Sequence, residues 1–334
     1  EQKLGTKVIK YDKALFEELY NEFVPPKNLV FSTDFLQYFQ TRNYFHGRRF
    51  IDFILKASKM QYALLTIYSK NVDHSDYLTG DQLRDFIDSY INKIPTLNEI
   101  LTENNGFREY YIEIVANRFI FDLSYAEDAR FEIPRLVKSI LFFQFIFYEE
   151  YPNGPFDYEN VYEIYQKCSE LLDGESQFIN DKSIKHFSTC ILSDAFIKRL
   201  FEVIQADSQN FIDFVVFLQI YFPFTFLTTK QGTHFFFRIL DLDSDGVITR
   251  ADILYFYKAI VKESNINIDF DAFMGKLLDI IGCRSEYVTE EVLNQSQNQD
   301  LFFKLLIDLK TFKKWEGDGH EEEEESPDEI IFSD

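Results

Sequence analysis

The stretch DLDSDGVITRAD, residues 241–252, is the part of the sequence that decides the fold. Aspartates occupy its first, third and fifth positions, and Gly246 occupies the sixth. This spacing is typical of the loop of about 12 residues with which a helix–loop–helix binds calcium. Alternate carboxylates can turn toward one hard cation, and the glycine allows the sharp turn with positive φ. The stretch therefore predicts an EF-hand-like unit with a metal site.

Six positions of this loop are the predicted metal ligands. They are Asp241, Asp243, Asp245, Val247 through its carbonyl, Thr249 directly or through water, and Asp252. In the usual loop the last ligand is a Glu that gives both carboxylate oxygens to calcium, whereas Asp is one methylene shorter. We therefore expect weak Ca²⁺ binding with Mg²⁺ as a competitor. A structural loop that binds no metal is the alternative.

Apolar residues on both sides of this loop recur at helical spacing. They are Phe236, Phe237 and Leu240 before the loop, and Ile253, Phe256, Tyr257 and Ile260 after it. The same periodicity predicts helices over 47–65, 80–92, 107–121, 134–149, 157–172, 194–205, 211–221, 251–262, 270–281 and 299–312. Glycine and proline are scarce, at 12 and 8 residues. The sequence predicts an all-α fold, an elongated array of EF-hand-like helix–loop–helix pairs.

Because such loops fold in pairs, four further segments are candidates for partner loops. In 264–273, Phe270 stands where a glycine is needed, so we predict a helix N-terminus capped by Asp269 or Asp271. The segments 71–83, 170–184 and 204–218 have the helix–loop–helix rhythm but lack acidic ligands at the required spacing. We interpret these three as degenerate loops that keep the shape of the unit without binding metal.

The clearest break in the chain is EEYPNGPFDYEN, residues 149–160, where two prolines, an Asn and a Gly follow one another closely. We predict an N-terminal helical domain over 1–150 with degenerate pairs, and a C-terminal EF-hand domain over 151–315 with one intact loop. The remaining segment, 316–334, contains ten acidic residues and no Lys or Arg, which predicts a disordered tail.

Composition restricts the class of function. Hydrophobic residues make up 46% of the 334 residues, which indicates a folded protein, and the net charge of −22 argues against binding nucleic acid or an anionic membrane surface. The odd number of scattered cysteines, three, argues against a disulfide framework and for a reducing compartment. No apolar run reaches the length of a membrane span. The chain begins at Glu1 rather than at Met, which leaves the natural N-terminus open.

The sequence contains no recognisable catalytic arrangement. Its five histidines show no metal-ligand spacing. They are His46, His74, His186, His234 and His320. Neither a phosphate-binding glycine loop nor a nucleophile elbow is present. The basic pair Arg48–Arg49 indicates a surface patch more than an anion site. We expect a protein that is not an enzyme.

Three stretches resemble one family. The run THFFFRILDLDSDGVITRADILYFYKAI, residues 233–260, resembles the core of the B″ regulatory subunits of protein phosphatase 2A. Downstream, residues 277–315 resemble the closing segment of that family through a VT-x-x-x-L-x-x-S turn and an LIDL-x-x-F stretch. Upstream, YLTGDQLRDFIDSYINKIPTL, residues 77–97, is similar to the gamma-type, TONNEAU2-like branch. The similarity runs in order from about residue 45 to residue 315.

The resemblance implies a regulatory role. Such a protein would dock on the phosphatase scaffold subunit and direct the catalytic subunit to its substrates, in the cytoplasm and with ties to the centrosome, cilium or cortical microtubules. The family motif also implies a metal site at the six positions of the 241–252 loop. An alternative is a structural EF-hand protein of a microtubule assembly such as an axoneme or centriole. A free calcium sensor is disfavoured, because one good loop gives little cooperativity.

Overall fold

The fold is all-α, as predicted. The computed structural model describes residues 8–10, 44–71, 75–123, 130–172, 178–187, 189–204, 212–266 and 268–317. Within these ranges it contains sixteen α-helices and two ladders of two short strands each. Most of the tail predicted over 316–334 lies outside the described residues, so its disorder stays a prediction.

Packing divides the chain into two compact units, Glu1–Ile164 and Tyr165–Asp334. Each unit is defined by the contacts among its own residues. The domain boundaries predicted at residues 150 and 315 therefore stay predictions.

The first unit is built around a cluster of aromatic rings. Its strands are β1 Val8–Lys10, β2 Tyr44–His46, β3 Tyr77–Leu78 and β4 Phe131–Glu132, with β1 antiparallel to β2 and β3 antiparallel to β4. Its helices are α1 Gly47–Lys70, α2 Gly80–Ile91, α3 Pro95–Glu103, α4 Arg108–Leu123, α5 Ile133–Lys138, α6 Ile140–Ile146 and the start of α7 Tyr158–Leu171. Phe145 packs against Phe86, Phe119 and Phe156 with ring centroids 5.6 to 6.3 Å apart. These buried rings bring helices distant in sequence into one core.

The second unit contains the predicted metal loop. After the rest of α7, its helices are α8 Asp181–Ile184, α9 Asp194–Val203, α10 Phe214–Thr225, α11 Lys230–Leu240, α12 Arg250–Ser264, α13 Phe270–Ile281, α14 Glu290–Gln295, α15 Gln299–Ile307 and α16 Leu309–Gly317. The ring of Phe236, on α11, packs against Phe196, Phe224 and Phe303 at centroid distances of 6.1, 4.8 and 5.3 Å. This contact set holds the helix that leads into the loop against α9, α10 and α15.

Loops meet in pairs through short antiparallel backbone contacts. Leu78 faces Phe131 in the ladder of β3 with β4. Isolated bridges of the same kind join Ile179 to Ile212 and Ile248 to Val288. Each of these six residues directly precedes the N-cap of a helix, namely α2, α5, α8, α10, α12 and α14. The described ends of the segments 71–83, 170–184 and 204–218 lie at these contacts, which gives the predicted EF-hand-like pairing. Residues 72–74, 173–177 and 205–211 lie outside the described residues, so the interpretation of these loops as degenerate stays a prediction.

Two helices predicted as continuous are broken. The segment 134–149 is divided at Ser139, whose ψ of 145° ends α5 and whose hydroxyl accepts a hydrogen bond from the Phe142 amide at the start of α6. The segment 299–312 is divided at Asp308, whose backbone bridges to Leu192. Apolar periodicity continues across both breaks, so the prediction of single helices was wrong. The segment 264–273 behaves as predicted, because Asp269 caps α13.

Gly232 gives a test of how tightly α11 is held. A Cβ atom built there would lie 2.8 Å from the Cα of Leu227 and closer still to the carbonyl oxygen of Phe226. We expect Gly232→Ala to lower the free energy of unfolding by about 1–3 kcal/mol, because backbone atoms cannot yield easily. Urea denaturation followed by circular dichroism measures the change.

The matched control is Gly275→Ala on α13, where a Cβ atom would meet nothing within 4 Å. There alanine is expected to raise the free energy of unfolding by about 0.5–1 kcal/mol, because it reduces the conformational entropy of the unfolded chain. Equal effects of the two substitutions would contradict the close approach at Gly232.

Candidate metal centre

The loop that joins α11 to α12 turns sharply at two residues with positive φ. Ser244 has a φ of 58° and Gly246 a φ of 88°. The amide of Gly246 donates to Oδ2 of Asp241 at 2.9 Å, and the amide of Asp245 donates to Oδ1 of Asp241 at 3.3 Å. The sharp turn predicted at Gly246 is therefore present, and it brings the backbone of the loop back toward the carboxylate of Asp241.

Three of the six predicted ligands converge. The carboxylates of Asp241, Asp243 and Asp245 each place one oxygen within 4.8 Å of the others. Asp241 is buried, with 4% of its surface exposed, whereas Asp243 and Asp245 face solvent. Among the described residues, no other three side chains of metal-binding types bring their ligand atoms this close together. The donor set, three hard oxygen ligands on a tight turn, fits a hard divalent cation.

Burial and backbone hydrogen bonds act on the pKa of the Asp241 carboxyl in opposite senses. Desolvation raises the pKa of the Asp241 carboxyl, and the neighbouring charge of Asp245 raises it further. Backbone hydrogen bonds from Gly246 and Asp245 oppose this by favouring the ionised form. A bound cation would relieve the repulsion between these carboxylates.

Asp252 and Thr249 lie at the start of α12 and hydrogen-bond to each other. Oδ2 of Asp252 accepts from the amide and the hydroxyl of Thr249, at 2.7 and 2.6 Å, and Oδ1 accepts from the amide of Leu242 at 3.2 Å. The hydroxyl of Thr249 in turn accepts from the Asp252 amide at 3.4 Å, which completes a capping box. Both predicted ligands thus have a structural task, and Asp252 does not join the cluster of three aspartates. Their part in metal binding stays a prediction.

Val247 lies between the turn and the backbone bridge. Its amide donates to Oδ1 of Asp245 at 3.0 Å, which fixes the orientation of that carboxylate. The predicted role of the Val247 carbonyl as a ligand stays a prediction.

The companion of the metal loop is the segment that ends at Val288. The amides and carbonyls of Ile248 and Val288 exchange two hydrogen bonds, at 2.8 and 2.9 Å. If Val288 is aligned with the eighth position, Ile281, Cys283 and Ser285 take the first, third and fifth positions, where the metal loop has aspartates. The companion loop therefore lacks the three carboxylates.

Sequence reasoning missed this companion because it searched for acidic spacing. A signal was nevertheless present. Both loops contain an apolar residue followed by Thr immediately before a helix. These pairs are Ile248–Thr249 and Val288–Thr289. The apolar residue forms the bridge, and the threonine caps the helix.

Three further features concern the cysteines, the length of the helices and the basic pair. The three cysteines are unpaired, and burial raises the pKa of the Cys168 thiol to about 12 and that of Cys190 to about 11. The helices in the described part of the chain are all too short or too polar to cross a lipid bilayer. The side chains of Arg48 and Arg49 lie outside the described residues, so the predicted surface patch stays a prediction.

The fold and the loop together define an all-α protein of paired EF-hand-like units. No protein-family model matches the chain. Its relatives among curated proteins are B″ regulatory subunits of protein phosphatase 2A, which confirms the predicted family resemblance. The chain is 23% identical to the human B″ beta subunit over 71% of its length, and 24% identical to a probable B″ delta subunit of Arabidopsis thaliana over 86%. It is also 18% identical to the B″ gamma subunit of Danio rerio over 80% of its length.

These matches span 44%, 57% and 60% of the three relatives, in the same order. They include beta, delta and gamma types, so they do not single out the gamma-type branch. All three relatives are named as regulatory subunits, in agreement with the expectation that the chain is not an enzyme.

A solved structure shares the fold. It is named as a di-calcium PP2A PR70 holoenzyme, and the matched chain is superimposed with a TM-score of 0.64 at 18% sequence identity. The superposition covers 72% of this chain and 93% of that chain. The likeness therefore extends over most of the helical array.

The structural role of Asp252 can be separated from any role as a ligand. In EDTA, Asp252→Ala is expected to lower the free energy of unfolding by about 1–3 kcal/mol, because the amides of Thr249 and Leu242 lose their buried acceptor. Asp243→Ala in EDTA should change it by less than about 0.5 kcal/mol, because Asp243 is exposed. Chemical denaturation of both variants makes the comparison. An Asp252→Ala protein as stable as the wild type in EDTA would show that the capping box is dispensable.

Proposed function

We propose that the chain acts as a regulatory subunit of protein phosphatase 2A, which docks on the scaffold subunit and directs the catalytic subunit to substrates. The observation that carries this proposal is the match with B″ regulatory subunits over 71% to 86% of the chain. A local motif match would cover one loop only, whereas this one extends across both compact units. The shared helical fold supports the same assignment.

The role that fits this architecture is mechanical rather than chemical. Paired loops and aromatic clusters link the helices within each unit. Helices that are already ordered before binding would lower the entropy lost on association. The phosphatase chemistry would belong to the catalytic subunit.

The metal proposal concerns the loop from Asp241 to Asp252. A bound Ca²⁺ would be held by Asp241, Asp243 and Asp245, with the Val247 carbonyl, Thr249 and Asp252 as the remaining candidates, and it would supply positive charge. The chain's own groups orient the site, since amides of the loop fix two of the three carboxylates. Because Asp252 is engaged in the capping box, we expect weak binding and competition by Mg²⁺.

A microtubule-associated role and a cytoplasmic or cytoskeletal location stay predictions. Salt-resistant retention in isolated cytoskeleton without phosphatase subunits would favour the structural alternative. Recovery together with the scaffold subunit would favour the regulatory role.

The docking proposal is tested with the full chain and purified scaffold and catalytic subunits. We expect the three proteins to elute together in size-exclusion chromatography at micromolar concentration. The Asp243→Ala/Asp245→Ala double variant, run in parallel, reports whether the metal loop contributes to assembly. Elution of the chain apart from the scaffold, with calcium and with EDTA, would contradict the regulatory role.

The metal proposal is tested by isothermal titration calorimetry of the full chain. One calcium site is expected, with a dissociation constant of about 1 μM or weaker, and millimolar Mg²⁺ should weaken the apparent affinity. The Asp243→Ala/Asp245→Ala variant should show no heat of binding. A nanomolar site insensitive to magnesium, or binding that persists in the double variant, would contradict this assignment.

A further inference from the structure

An arginine from outside the metal-binding hand reaches the entry of its loop. Arg199 lies on α9, whereas the hand consists of α11, the loop and α12. Its Nη2 donates to the backbone carbonyls of Asp241 and Leu242, each at 3.2 Å. The side chain is mostly covered, with 18% of its surface exposed. A guanidinium from a separate helix therefore hydrogen-bonds to the backbone of the first two residues of the loop.

These two carbonyls lie at the C-terminal end of α11. Asp241 is the C-cap residue of that helix, and its own amide bonds to the carbonyl of Phe237 at 2.9 Å. A cation at the negative end of a helix is favourable, and hydrogen bonds from a charged donor are stronger than neutral ones. The guanidinium thereby fixes the backbone from which the first carboxylate of the site projects.

The other end of α9 is fastened to the end of the hand. The amide of Asp194 donates to Oε1 of Glu263, near the C-terminus of α12, at 2.9 Å. Nζ of Lys185 bonds Oε2 of the same glutamate at 3.1 Å. Helix α9 thus makes polar contacts with the hand through Arg199 at the loop entry and Asp194 at the far end of the exit helix, in addition to the packing of Phe196 on Phe236.

We propose that Arg199 is a positioning residue that sets the calcium affinity of the loop. It does so by holding the backbone of Asp241 and Leu242 in the geometry that gathers the three carboxylates. This inference rests on the metal binding proposed above, and it adds α9 to the elements on which that binding depends.

Two effects of Arg199 on calcium affinity oppose each other. Its positive charge repels the cation, and its hydrogen bonds order the loop in advance. The charge is shared with Glu202, whose carboxylate lies 3.2 Å away, and solvent and salt screen what is left. Ordering the backbone costs conformational entropy at every residue that becomes fixed, and a loop that is not already ordered must offset this cost from the free energy of metal binding. The ordering effect is therefore the larger.

The test compares variants of the full chain by calcium calorimetry at a temperature where circular dichroism shows each one folded. Arg199→Met is expected to weaken calcium binding about tenfold, which corresponds to about 1.4 kcal/mol. Arg199→Lys should lose less affinity than Arg199→Met, because an ammonium can still donate a hydrogen bond to a carbonyl, although it lacks the planar guanidinium that reaches both.

Two control variants separate the positioning effect of Arg199 from the effect of its charge and from a general loosening of α9. Arg250→Met removes the same charge from the loop itself, at a side chain that is 55% exposed and pairs with Asp271, and should change affinity by less than about twofold. Glu263→Gln weakens the polar attachment of α9 at the far end of α12. It should lower the melting temperature and leave the dissociation constant within about twofold of the wild type.

The outcomes are distinct. An Arg199→Met protein that binds calcium as tightly as the wild type, or more tightly, overturns the proposal. Equal losses of affinity in Arg199→Met and Glu263→Gln overturn it as well, because loosening of α9 would then explain both. A wild-type chain that binds no calcium overturns the proposed metal function together with this inference.

Discussion

The pair of backbone hydrogen bonds between Ile248 and Val288 is the contact on which the hand formed by α11, the 241–252 loop and α12 depends. Both residues are fully buried, and their amides and carbonyls satisfy each other at 2.8 and 2.9 Å. A buried peptide group without a partner is costly, so neither loop can keep this position without the other. The contact fixes the two loops side by side, and with them the starts of α12 and α14. The geometry of the carboxylate cluster follows from that constraint, because Ile248 lies two residues after Gly246.

The same bridging contact is found at loops that lack the three carboxylates. Three bridges recur in the described residues, each between residues that directly precede a helix N-cap. At five of the six helices that follow these bridges, the side chain of the N-cap residue accepts a hydrogen bond from a backbone amide of the helix. Bridging and capping use the eighth and ninth positions, whereas the three carboxylates of the metal loop occupy the first, third and fifth. The bridges and caps therefore use none of the three carboxylate positions, so a loop without those carboxylates can keep the same shape.

How much of this could be predicted from the sequence depends on the distance over which each feature acts. The helical class, the turn at Gly246 and the cap at Asp269 are set by neighbours within a few residues, and they were predicted. The companion loop at Val288 was missed, because loops pair through a buried apolar residue and the search was for acidic ligands. The breaks at Ser139 and Asp308 were also missed. In the second case the cause is a bridge to Leu192, more than a hundred residues away in sequence.

The candidate site shows the same limit. Spacing identified Asp241, Asp243 and Asp245, which converge, but it could not show that Asp252 accepts hydrogen bonds from Leu242 and Thr249. Nor could it reveal Arg199, because the contact of α9 with the loop entry joins residues about forty positions apart. Local patterns predict which groups can bind a cation, and tertiary contacts decide how those groups are held.

The most direct test of paired loops with one metal site is hydrogen–deuterium exchange at the amides of Ile248 and Val288, measured in EDTA and in calcium. The account predicts that both amides are protected in EDTA, because the bridge forms without metal. It also predicts that calcium slows exchange at both amides together, although the companion loop has no carboxylates of its own. Rapid exchange at both amides in EDTA, or slowing at Ile248 with no change at Val288, would contradict it.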